Sequence, residues 1–197
     1  MRLVGRMVAR ELFYRLSSAN DSTLVAQVQE TRGLSKRQYF LWFDRFQGEL
    51  QYCPGHPERC RLTLEIDAGS LTCRDQLLRT NQQRRLTACA RDVVLQAHKH
   101  PVIYFSSARI SVKALRGLVV EGKLRVRGTT RPHKVNVVVT PVEANYLEIE
   151  GDSLVQLSAF DISAPSSWFG LLRINDQVLI HWHLYATQVV REGQPPE

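Results

Sequence analysis

Apolar and polar residues alternate with period two over most of this chain, and the pattern is clearest from Gly117 to Val139. In that stretch Leu118, Val120, Leu124 and Val126 fall on one side, and Val119, Glu121, Lys123, Arg125 and Arg127 on the other. A strand with one dry and one wet face has this periodicity. After a polar turn segment, Gly128 to Pro132, the residues Val135, Val137 and Val139 alternate with Asn136, Val138 and Thr140. The pair reads as a hairpin in a curved antiparallel sheet. Further strands are predicted at Ser22 to Thr31, within the aromatic-rich run Tyr39 to Tyr52, at Arg61 to Ala68, Val102 to Val112, Ser153 to Ile162 and Gln177 to Val190.

One region breaks the rhythm. From Arg74 to Gln96 there is neither proline nor glycine, and Leu78, Leu86, Cys89, Val93 and Ala97 recur at helical intervals. This predicts a helical insertion over about residues 74–97 with a basic outer face that includes Arg79, Arg84 and Arg85. The reading is of an all-β chain: an antiparallel barrel of about eight strands with one helical insertion. Residues 1–19 are taken as an N-terminal segment that could form a short amphipathic helix, 20–190 as the barrel domain, and the proline-rich 191–197 as a disordered tail.

Composition narrows the classes. The 197 residues are 44% hydrophobic, enough for a sizeable core and too many for a disordered chain. No apolar run approaches the ~18–20 residues that a membrane-spanning helix needs. Arginines 2, 6, 10 and 15 interrupt any signal-peptide core, so a cytoplasmic location is expected. The net charge is +7, with the basic residues spread along outward strand faces. That suits an anionic membrane surface, but the lack of basic runs interleaved with aromatics argues against a specific nucleic-acid partner. Nothing in the sequence excludes a homo-oligomer.

Candidate chemistry is sparse. Cys53 and Cys60 bracket a loop that could bring them together; with Cys73 and Cys89 they are expected to be thiols in a reducing compartment. Cys53, His56 and Cys60 fit no standard zinc spacing. His181 and His183 lie two apart on the last strand, a spacing that can chelate a metal. But Val178, Ile180, Trp182 and Leu184 occupy the opposite, apolar face, which leaves both histidines outside. His98 and His100 read as solvated turn residues. No Ser-His-Asp order, phosphate-binding glycine loop or HExxH helix is present, so no catalytic residue, metal or cofactor is assigned. The candidate ligand-binding set is the large apolar residues of the presumed inner face: Phe40, Trp42, Phe46, Leu124, Val126, Val137, Phe160 and Trp182. From periodicity alone a filled core is the default, because hollow and filled barrels both need apolar inward residues.

Five segments resemble, in order, the motifs of the YceI-like family. Gly122 to Pro132 matches G-x-L-x-x-x-G-x-T-x-P, and Phe43 to Leu50 is similar to F-x-x-F-x-G-x-L. Leu64 to Leu71 resembles a V-x-I-D-A-x-S-L strand end, and His100 to Ser107 a Y-P-x-I-x-F-x-S element. Ala159 to Ile162 with Trp168 to Leu171 resembles the A-x-x-x-I-x-R-x-x-F-G stretch, without its arginine. The resemblance implies a lipocalin-like barrel that binds, carries or sequesters an isoprenoid or other long-chain lipid without catalysis. If the ligand has an anionic head, Arg125 or Arg131 could lie close to it, although nothing in the sequence places either there. Two other readings are carried forward: a filled barrel binding an anionic partner or membrane through its basic exterior, and a metal-dependent enzyme using His181 and His183.

Overall fold

The computed structural model describes residues 11–19, 21–32, 35–113, 117–143, 145–163 and 173–190. In chain order the strands are β1 (Leu12–Ser17), β2 (Thr23–Arg32), β3 (Ser35–Phe43), β4 (Phe46–Tyr52), β5 (Arg61–Asp67) and β6 (Leu71–Cys73). A helix α1 (Thr80–Ala88) and a π-helical turn (Cys89–Val94) follow. Then come β7 (Val102–Val112), β8 (Gly117–Val126), β9 (Thr129–Glu143), β10 (Tyr146–Gln156) and β11 (Arg173–Val189).

All pairings are antiparallel, and β1, β4, β5, β7, β8, β9, β10 and β11 close into an eight-membered ring through the β1–β11 seam. The remaining strands prolong three of its staves. β2 continues β1 along the edge of β11, β3 runs straight on into β4, and β6 extends β5 against β3. The fold is therefore a closed eight-stave antiparallel barrel, the count at which inward side chains can nearly fill the interior.

Two of those interruptions are stitched to each other. The Arg45 N–H donates to Ser70 Oγ at 3.0 Å, the Ser70 hydroxyl donates to the Asp67 carbonyl at 2.7 Å, and the Asp44 N–H donates to the Ser70 carbonyl at 3.3 Å. Asp67 Oδ1 accepts from the Gly69 N–H at 2.7 Å, capping the 3-10 turn Ala68–Ser70. Backbone groups freed where the staves bend thus find partners in buried Ser70 rather than in water.

Several expectations need correcting. Residues Leu12–Ser17 are a barrel strand rather than part of a helix, because Tyr14 and Leu16 point inward with period two. The β8–β9 turn is only Arg127 and Gly128, both with positive φ (49° and 79°), as a two-residue hairpin turn requires. Thr129 to Pro132 already belong to β9. The strand expected at Ser153 to Ile162 begins earlier, at Tyr146, and gives way to a 3-10 turn at Leu157–Phe160. The last strand begins at Arg173, four residues before the expected Gln177. Residues 1–10, the loop 164–172 and the tail 191–197 lie outside the described residues.

The helical insertion is present, but its apolar face shifts. The Leu95 N–H reaches back five residues to the Ala90 carbonyl at 2.9 Å, which adds a residue to the turn. Past that point Val94 and Leu95 face the barrel, and Val93 is exposed. Arg79, Arg84 and Arg85 are exposed, as the basic-face reading predicts. The Cys73 N–H donates to Thr87 Oγ1 at 2.9 Å and Arg127 Nη1 to the Val94 carbonyl at 3.2 Å, tying the insertion to β6 and to the β8–β9 hairpin.

Candidate binding cavity

The barrel is not filled. A cavity of about 180 Å³ lies inside it, walled by inward residues of the staves and by Ala90, Val94 and Leu95 of the helical insertion. The wall is aliphatic and aromatic almost throughout. Apart from the indole of Trp182, its only polar side chains among the described residues are His133 and Ser153.

These two sit on adjacent strands, in phase with the inward valines of β9 and with Ile149 of β10. His133 Nε2 and Ser153 Oγ are 2.5 Å apart in a hydrogen bond. The edge of one ring meets the face of the other where Phe105 packs on His133, with centroids 6.5 Å apart and planes at 82°. Burial pushes the His133 pKa below the ordinary imidazole value, so the ring is neutral at physiological pH. Sequence reading passed over His133, although its phase with Val135 and Val137 was the available signal.

Of the eight apolar candidates, Leu124, Val126, Val137 and Trp182 line the cavity together. Phe46 and Phe160 are buried but do not line it. Phe160 lies in the 3-10 turn rather than on a strand face. Phe40 and Trp42 point outward, half-buried and packed on each other at 6.3 Å. Their neighbours Tyr39, Leu41 and Phe43 take the inward positions, Tyr39 and Leu41 in register with Val28 and Ala26 across β2. The run YFLWF is apolar on both faces, so residue size there misleads where phase decides.

Neither arginine suggested for an anionic head reaches the cavity. Arg125 is exposed with its guanidinium 5.7 Å from the Tyr104 ring centre. Exposed Arg131 donates from Nε to the Ala159 carbonyl at 2.7 Å and lies 3.7 Å from Asp161. At the other end Cys53 and Cys60 meet as buried thiols, the Cys53 N–H donating to Cys60 Sγ at 3.1 Å, and burial raises both pKa values. His56, between them, faces Glu58 instead at 3.3 Å.

His181 and His183 project outward from β11 to separate partners: His181 to Gln27 at 3.2 Å, His183 to Glu148 at 2.5 Å. Among the described residues the one grouping with metal-ligand spacing is Glu148, Glu150 and His183 on the outer surface, their ligand atoms within 4.8 Å of one another. His181 is not part of it, so the two-histidine site expected of a metalloenzyme does not form. No helix among the described residues is long and apolar enough to cross a membrane.

The YceI-like domain family matches residues 14–186. The fold is shared with BcnA of Burkholderia cenocepacia, at 20% identity and TM-score 0.67, over 84% of this chain and 96% of that one. A domain of Saccharophagus degradans described as polyisoprenoid-binding and implicated in plant cell wall breakdown aligns at 14% identity and TM-score 0.65, over 89% and 98% of the two chains. The Campylobacter jejuni YceI protein aligns at 13% identity and TM-score 0.63, over 82% and 91%. No curated protein sequence matches the chain.

Proposed function

The chain belongs to the YceI-like domain family, and on that footing we propose that it is a non-enzymatic carrier or sequestering protein for an isoprenoid or similarly long apolar lipid, held inside the barrel. The observation that carries this reading is the cavity itself: an apolar space in a barrel of a size whose side chains could have filled it. Lipid tails bind such a wall by leaving water, at roughly 0.8 kcal/mol per buried CH₂. Little polar chemistry is needed. The polyisoprenoid-binding description of the Saccharophagus domain supports the same ligand class.

Native mass spectrometry of freshly purified protein, followed by organic extraction, tests the proposal. The expected result is a lipid at near one-to-one stoichiometry that is lost from folded variants carrying Val137→Asp or Trp182→Asp. A clean apo mass together with no uptake of added polyprenyl lipids would overturn it.

A further inference from the structure

We infer that His133 and Ser153 form a hydrogen-bonding anchor inside the cavity, selecting lipids with an uncharged polar head, a hydroxyl or a carbonyl, over bare hydrocarbon and over phosphorylated lipids. The inference rests on the cavity holding a lipid, and it adds where the head sits and what it must be.

Proton counting gives the first part. A neutral imidazole and a serine hydroxyl own two hydrogen-bonding protons between them, and the bond at 2.5 Å consumes one. If serine donates to Nε2, the Nδ1–H is left over; if Nε2–H donates to serine, the hydroxyl proton is left over. Either way one donor and two acceptor sites remain. Neither side chain has a further side-chain partner among the described residues. A polar pair in an apolar wall is costly to keep dry, so it favours a ligand whose own polar atom completes it.

Charge gives the second part. Among the described residues no Lys, Arg, Asp or Glu lines the cavity. A phosphate beside His133 would be desolvated without a counter-charge, because Arg125 and Arg131 are engaged outside the wall. Burial of His133 also disfavours an imidazolium as the counter-charge.

Packing holds the ring in place. Phe105 lies against His133, and it fits because Gly122, the cross-strand partner of His133, has no side chain. A β-carbon there would stand 2.8 Å from the Phe105 ring. The first glycine of the G-x-L-x-x-x-G pattern thus leaves room for the aromatic that supports the anchor.

Calorimetric titration of the delipidated full chain with geranylgeraniol, the corresponding headless tetraene and geranylgeranyl phosphate tests this. Wild-type protein is expected to bind the alcohol about tenfold more tightly than the tetraene, the value of one additional satisfied hydrogen bond, and more tightly than the phosphate. Ser153→Ala and His133→Phe should bring the alcohol to within about twofold of the tetraene. Equal wild-type affinity for alcohol and tetraene, tightest binding of the phosphate, or variants that lose both neutral ligands in parallel would each overturn the anchor and leave the carrier reading standing. If none of the three binds, the carrier reading falls and the anchor with it. The wild-type comparison decides alone if a variant does not fold.

Discussion

Gly151 and Trp182 face each other across β10 and β11, and the indole occupies the space a side chain at 151 would need. A β-carbon on Gly151 would lie 2.5 Å from the indole and 2.2 Å from the Asn136 carbonyl oxygen. The glycine is thus what allows a tryptophan to lie flat along the inner wall.

Gly151→Ala is expected to push Trp182 off the wall and strain the β9–β10 ladder. Overpacking of this kind costs about 3 kcal/mol, or roughly 6–12 °C in melting temperature for a chain of this size. Thermal unfolding and the tryptophan emission maximum would check it; an unchanged melting temperature would show that the wall yields freely.

Ser70→Ala should remove the stitch between two bent staves. The part-buried Arg45 N–H loses its acceptor, which costs about 1 kcal/mol. Denaturant titration should show a lower midpoint at unchanged slope, since the surface exposed on unfolding stays the same.

Acid should weaken the fold partly through His133. Its native pKa is depressed, so below the ordinary imidazole value of about 6.5 the unfolded chain takes up a proton that the native state resists. The contribution is fully present above about pH 6.5 and is lost as pH falls toward the native pKa. The difference in stability between wild type and His133→Phe, measured from pH 8 to pH 5, should therefore narrow on the acid side; a pH-independent difference would contradict this.

The thiols should be slow. Cys53, Cys60, Cys73 and Cys89 all have pKa values raised by burial, which suppresses the reactive thiolate. A chromogenic disulfide reagent at pH 8 should label the native protein sluggishly and all four cysteines promptly after denaturation. Rapid native labelling would place a thiol at the surface.

Alternation was enough to read the barrel and its helical insertion, because a wall that is dry inside and wet outside imposes period two on every stave. Where both faces of a strand are apolar, as at Phe40 to Phe43, the pattern loses its phase, and the larger residues were assigned inward although Leu41 and Phe43 hold those positions. Phase also failed at Val93, where the π-helical turn Cys89–Val94 slips the helical register. The wall at Leu124, Val126, Val137 and Trp182 was legible. The space it encloses was not, since identical inward valines can surround a tunnel or fill it. His133 stayed hidden because its meaning depends on Ser153, which only the folding of β9 against β10 brings near.

The seam between β1 and β11 has a bearing on how the chain comes to be folded at all. Phe13 pairs with Val189, so residues near the two extremes of the sequence must meet before the ring is complete. Contacts so distant along the chain form late and slowly. On a ribosome the earlier staves can assemble while synthesis continues, but the first strand has to wait, its edge unpaired, until β11 has emerged. The ring closes only once β11 has paired with β1.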